Sequence, residues 1–484
     1  MQIFILMLMV CMTVSGRVEA YELESTEYPL KVVWDSSFDD ELAVSVLSSA
    51  ETAWERQFKQ LGYEIPWTSE GGNLPYRGMI FYLADTGMGA GGAMVEPVAD
   101  VSETEICDCA SVITIDNAAS AEDPLVAEGV FHELNHASQY AVDCSEHPSA
   151  FESFTIALIS SEFPESTIVP WVISNFQDFP EYPLNYWTMD FPCNGSEPCF
   201  PYQLGSALFP LFLRDKFGEG NASFLSAIWK RFRQNGEINM SGMSPECSSG
   251  NSPDYFTAIN EFLIEKGTSF DDAFREFSFW RAITGEHDDG HHFKVGSLYA
   301  SPQIAQSVSI PFGSPVELIL HEYSSRYIEL TDIDLAYGTN VTVKVDANPE
   351  GLWSGSVLLW KSGEEVIVLP IEFESNSGNL EFSMPSDVNR CIVTVSYHNH
   401  GSYNADSMNY SRKGDFTLSV SHETSNPPVD AGVDSGSDAD ASEGSADDSG
   451  CNCKAGSSSW SPSMFPVLLS AMLLFRKKYR PHKE

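Results

Sequence analysis

Apolar positions along this chain follow two different rules. From about residue 28 to residue 300 they recur mostly at three- and four-residue intervals, with short apolar runs between. From about Pro315 they alternate every second residue. The first pattern predicts helices mixed with buried strands, the second an antiparallel sheet domain. Residues 28–34 read as a strand. A helix then starts at Ser37, with Leu42, Val46, Ala50, Trp54, Phe58 and Leu61 on one face and Gly62 at its end. Arg77–Ala84 and Ser111–Asp116 read as further strands, and Met88–Pro97 as a glycine-rich loop. Helices follow from Asp123, from Ser149 and from Pro201, and two more lie within 252–284, the second opening at Ser269. This order predicts an α+β layout with a strand edge beside the Asp123 helix, open to an extended peptide. Beyond it, Val316–Leu320, Tyr327–Leu330, Val341–Val345, Ser356–Trp360, Val366–Phe373, Leu380–Met384, Cys391–Tyr397 and Phe416–Val420 predict an all-β sandwich.

The Asp123 helix carries the chemistry. Asp123 is a capping residue and Pro124 needs no amide hydrogen there. His132 and His136 are one turn apart, so both rings leave the same face. Two neutral imidazoles at that spacing suit Zn2+, and Glu133 between them can take a proton from water. A histidine six residues beyond His136, with a glycine three beyond, would mark a metzincin. Gln139 and Val142 stand there instead, so the third ligand lies elsewhere. Glu152 sits in an otherwise apolar helix, where a carboxylate needs a partner. Asp143, Glu146, His147 and Glu162 compete for the role. His287, His291 and His292 fall on no regular element and read as a solvated loop rather than a second metal cluster.

His-Glu-x-x-His with a downstream glutamate on a second helix resembles the gluzincin group of zinc metallopeptidases. The segment Glu152-Ser-Phe-Thr-Ile-Ala-Leu-Ile is similar to the second helix of a family of secreted myxobacterial metalloproteases, which has Gly and Ala where Ser153 and Thr155 stand here. The helix of Ser269–Gly285 resembles that family's closing helix. The resemblance spans roughly residues 28–300 and implies a zincin-like catalytic domain with zinc on His132, His136 and Glu152 and Glu133 as general base. Pro201-Tyr202-Gln-Leu-Gly205 looks like the Pro-Tyr-x-x-Gly helix start of aminopeptidase-type gluzincins. That likeness gives Tyr202 the part of oxyanion donor, beside the plainer reading of a tyrosine in a core helix. Gly91-Gly-Ala-Met-Val-Glu96 is only faintly similar to the Gly-Ala-Met-Glu-Asn strand of the same enzymes, because Val95 interrupts it.

Composition sets the compartment and excludes partners. The chain has 69 acidic against 26 basic residues, a net charge of −43, which argues against nucleic acid or an anionic membrane surface as partner. Residues 1–20 read as a signal peptide. Export permits disulfides, and Cys107, Cys109, Cys144, Cys193, Cys199 and Cys247 can form three, with Cys193 and Cys199 as a local pair. Cys107, Cys109 and Cys144 can alternatively be read as a metal set. The expected order is a metallopeptidase domain over 21–305, the sandwich over 306–422, an acidic linker with a Cys motif over 423–456, and a hydrophobic segment over 457–484. That last segment, with its basic end, resembles a myxobacterial surface-sorting signal, so membrane contact is expected through this tail alone. The sequence thus predicts a surface-displayed zinc endopeptidase acting on protein or peptide. The alternative is a catalytically silent zinc-binding surface protein whose sandwich binds a partner.

Overall fold

The computed structural model describes residues 20–422 apart from 36–39, 71–72, 90, 102, 189–192, 194, 196, 241–244, 349–350 and 399–412. The expected signal peptide up to Val18-Glu19, the acidic linker and the sorting tail therefore lie outside the described residues. The chain forms an α+β part and a β-rich C-terminal part.

The first part is built on a sheet of seven strands: β1 (Ala20–Glu24), β2 (Leu30–Asp35), β3 (Trp67–Thr68), β4 (Tyr76–Arg77), β5 (Met79–Ala84), β6 (Ala93–Asp100) and β7 (Cys109–Asp116). β2, β5 and β7 run parallel, while β6 is antiparallel to β7. β2 alternates as a strand with one covered face should: Leu30, Val32 and Trp34 are buried. Helix α1 (Asp40–Trp54) answers with Leu42, Val46, Ala50 and Trp54, and continues through a wider turn, Glu55–Gln60, to Gly62. Gly62 has φ +72°, the left-handed conformation that ends helices on glycine.

The glycine-rich loop expected over Met88–Pro97 is shorter than that. Its second half, from Ala93, is the start of β6. Gly92 is needed for close approach within the turn: a Cβ there would stand 2.5 Å from the Met88 Cβ and 2.6 Å from the Thr86 Oγ1. The following Met-Val pair has ordinary strand propensity and pairs with β7 at Thr114 and Ile113. β6 is hydrogen-bonded on that one side; its other edge pairs with no strand among the described residues.

Helices α2 (Pro124–Tyr140) and α3 (Pro148–Glu162) follow, α2 lying against α1, β6 and β7. Then come α4 (Ile168–Gln177), α5 (Pro201–Gly205), α6 (Leu208–Phe217), α7 (Ser223–Trp229), the small hairpin β8 (Ile238–Asn239) and β9 (Glu246–Cys247), α8 (Tyr255–Glu265) and α9 (Phe270–Ala282). One core joins the sheet to these helices. Ser269 caps α9 through the Asp272 amide, as its position predicts. α3 is capped differently from expectation: His147, not Ser149, is the cap, its Nδ1 accepting the Ser149 amide, with Pro148 at the first helical position.

Three disulfides join Cys107 to Cys247, Cys109 to Cys144 and Cys193 to Cys199. The local pair is the expected one, and the thiols at 107, 109 and 144 are spent on bridges rather than on a metal.

The C-terminal part has nine strands: β10 (Gln306–Ser309), β11 (Phe312–His321), β12 (Ser324–Thr331), β13 (Asn340–Asn348), β14 (Leu352–Lys361), β15 (Ile367–Glu374), β16 (Ser377–Ser383), β17 (Val388–His398) and β18 (Lys413–His422). They form one sheet in the order β10-β12-β17-β14-β15-β16-β13-β18-β11. β15 pairs with β14 through Ile367–Ile371 and with β16 through Glu372–Glu374, so the sheet curls at that strand and closes over one aliphatic core. Cys391 is buried in that core as a free thiol. β10, which the alternation did not reveal, is parallel to β12 and has only Val308 buried.

Candidate metal centre

The local folding of α2 fixes its roll. The Asp123 carboxylate accepts the Leu125 amide at 2.9 Å. Val126, Val130, Leu134 and Ala137 go into the core. His132 and His136 are thereby turned toward α3, where Glu152 stands in the second turn. The His132 and His136 Nε2 atoms are 2.9 Å apart, and the Glu152 Oε2 lies 3.5 Å and 3.6 Å from them. One donor atom from each of the three residues lies within 4.8 Å of the others. That spacing accommodates three bonds of about 2.0–2.2 Å to one ion, and two imidazoles with a carboxylate are a common three-ligand set.

A second layer orients the set. His136 Nδ1 is 2.7 Å from the Gln139 Oε1, so this side of the ring donates to a carbonyl and Nε2 is the nitrogen turned toward His132 and Glu152. Thr155 on α3 donates to the same Gln139 oxygen at 3.1 Å, and the Gln139 Nε2 donates to the Phe151 carbonyl. Gln139, Thr155 and Phe151 thus tie the two ligand helices together.

The electrostatics draw positive charge to this point. Burial depresses the His136 pKa, but the Glu152 carboxylate, helped by Glu133, overrides it and lifts it to about 9. Burial would raise Glu152; His136 and His132 hold it far below the usual carboxylate range. Glu133 is pushed up by burial against the pull of the two histidines. The backbone N–H of Val95 on β6 works with the histidines against that rise, which sets this carboxylate beside the edge strand.

The competing ligands are engaged elsewhere. Glu162 pairs with Arg56 at 2.6 Å. Asp143 accepts Gln234, Glu146 accepts the His147 amide, and His147 caps α3. Tyr202 has a task other than the one expected. It is 0 % exposed, and its hydroxyl donates to the carbonyls of Tyr182 and Pro183 at 2.9 Å and 3.1 Å. A buried hydroxyl with its one hydrogen given to backbone carbonyls is no donor for a substrate, so the oxyanion role does not fit this residue. The histidine-rich loop is not merely solvated. His292 lies 2.9 Å from Asp289, whose carboxylate accepts the Val366 amide of the second part.

Two neighbours of the centre escaped the sequence reading. Gln139 orients His136, and Glu128, one turn before His132, is held by the Ser166 hydroxyl at 2.7 Å. The signal was the four-residue step Glu128, His132, His136, Tyr140 along one face of α2.

No family model matches this chain, and no curated protein matches it. Solved structures match a quarter of it. One is the pre-peptidase C-terminal domain of a collagenase from Bacillus anthracis, at 13 % identity over 24 % of this chain and 93 % of that one, with a TM-score of 0.17. Another is CorA, a surface-associated copper-binding protein of Methylomicrobium album BG8, at 8 % identity over 25 % and 98 %, with a TM-score of 0.19. A third is PliG of Aeromonas hydrophila, a periplasmic inhibitor of g-type lysozyme, at 13 % over 25 % and 100 %, with a TM-score of 0.16. Likeness at this level assigns neither a fold nor a function. No helix among the described residues is long and apolar enough to cross a membrane.

Proposed function

We propose that this chain is an exported, surface-displayed zinc endopeptidase whose α+β part is a zincin-like catalytic domain. The observation that carries the reading is the convergence of His132, His136 and Glu152 within 4.8 Å, with the Glu133 carboxyl in the field of all three. Zinc held there supplies a Lewis acid that acidifies water and polarises a carbonyl.

The chain's own residues do the rest. Glu133 is buried, and burial raises its carboxyl pKa, so it is a better proton acceptor than an exposed glutamate. It takes a proton from the attacking water and returns it to the departing amine nitrogen. Gln139 keeps His136 in the tautomer that presents Nε2. The free edge of β6 runs past Glu133, and an extended peptide adds there as a further antiparallel strand. The three disulfides favour an oxidising compartment, in keeping with export. Display on the cell surface rests on the tail of residues 457–484.

The test is casein and peptide-library cleavage by zinc-loaded wild type and Glu133→Gln. The expected result is turnover by the wild type and a fall of about 10²–10⁴-fold in the variant at equal zinc content. Equal turnover by both would remove Glu133 as the base. Zinc binding without cleavage in either would favour the silent surface protein.

A further inference from the structure

The peptidase reading leaves one part unfilled: a donor for the negative charge that develops on the scissile carbonyl oxygen. Tyr202 is buried with its hydroxyl committed, so the donor is another group. Tyr140 is the next residue on the metal face of α2, one turn beyond His136. Helical side chains lean toward the N-terminus of their helix, so a residue at 140 covers the turn that holds 136. Its ring packs edge-on against Phe151 at 5.1 Å, and Phe151 lies edge-on to His136 at 6.2 Å. The ring is therefore held against Phe151 of α3 on one side and the Cys107, Cys109, Cys144 and Cys247 cluster on another. Its hydroxyl makes no hydrogen bond within the described residues, unlike that of Tyr202. The charged groups it feels are all carboxylates: Glu133, Glu152 and, on β6, Glu96. With burial they push its pKa up, so the group stays protonated and able to donate across the working pH range.

Resting on the peptidase reading, we propose that Tyr140 is a catalytic residue whose hydroxyl donates a hydrogen bond to the oxyanion formed from the scissile carbonyl. The step balances without any oxidant. Water adds to the carbonyl carbon, its proton goes to Glu133, and the carbonyl π pair becomes the oxyanion lone pair. That pair re-forms the C=O as the C–N bond breaks, and Glu133 passes the proton to the amine nitrogen. Tyr140 keeps its own proton throughout.

The experiment compares wild type, Tyr140→Phe and Glu133→Gln as zinc-loaded full chains. It records zinc content, melting temperature, kcat and KM on a quenched peptide, and the Kd of a phosphinic peptide by calorimetry. The phosphinate oxygens mimic the oxyanion, so its binding reads the donor without turnover. Tyr140→Phe keeps the ring and its packing. The expected result is kcat down about 10²–10³-fold, phosphinate affinity down by a similar factor, and KM and zinc unchanged. Wild-type kcat and phosphinate affinity in Tyr140→Phe, with Glu133→Gln inactive, would overturn the tyrosine and leave the peptidase reading standing. Loss of zinc or of folding in Tyr140→Phe would make Tyr140 a structural support and overturn the donor role. A zinc-loaded wild type that neither cleaves nor binds the phosphinate would overturn both.

Discussion

Two seams in this molecule bury polar side chains between packed elements, and they close differently. Where α9 lies on the curled sheet, Ser278, Ser325, Ser396, Tyr327 and His398 are all paired. The Ser325 and Ser396 hydroxyls both meet the Ser278 hydroxyl, at 3.1 Å and 2.7 Å, and the Tyr327 hydroxyl donates to the Ser278 carbonyl. His398 uses both ring nitrogens, one toward Ser354 at 2.8 Å and one toward Asp271 at 3.3 Å. Where α2 meets α3, the outer groups are likewise paired, but His132 Nε2, His136 Nε2 and the Glu152 carboxylate converge on one point, where the carboxylate holds a proton on His136. That proton stands where a metal cation can replace it, since two imidazoles and a carboxylate are ligands once deprotonated. The first kind of seam is adhesive. The second kind asks for a ligand.

Changing pH should separate the two seams most widely. His136 is lifted to about 9, so at neutral pH it holds a proton that a metal must displace. Metal affinity therefore weakens as pH falls, by about tenfold per unit between pH 8 and 6. Calorimetric titration at three pH values checks this; a flat profile would mean that His136 binds no proton against Glu152. Gln139→Leu, which frees His136 Nδ1, should weaken metal binding about 10–100-fold without moving the melting temperature of the second part. Ser278→Ala should do the reverse. It removes the hydroxyl that Ser325 and Ser396 share but leaves their own 2.9 Å contact, costs about 0.5–1.5 kcal/mol in denaturant unfolding, and leaves metal affinity unchanged. A metal effect from Ser278→Ala would erase the distinction between the seams.

The convergence of His132 and His136 was legible in the sequence because a helix converts spacing into direction: residues 132 and 136 must share a face. Glu152 was legible for another reason, as a charge in an apolar helix. Position 202 misled because a motif of proline, tyrosine and glycine fixes a helix start but not where a ring points. Gly205 shows the difference: a Cβ there would fall between the Val172 carbonyl and Phe176, so the glycine serves contact between α4 and α5. β6 was hidden behind Gly87, Gly89, Gly91 and Gly92 of its turn, which read as a loop. In the second part, alternation located eight strands, but β10 has a single buried residue and left no pattern to see. The curl at β15 depends on which neighbour each half of that strand chooses, and period-two alternation is silent about neighbours.

Metal analysis of the purified full chain beside Glu152→Ala tests the central claim most directly. Wild type should carry about one zinc per chain after dialysis. Glu152→Ala should carry almost none while remaining folded in metal-free buffer. Zinc retained in Glu152→Ala, or absent from a folded wild type offered zinc, would contradict the His132, His136 and Glu152 centre.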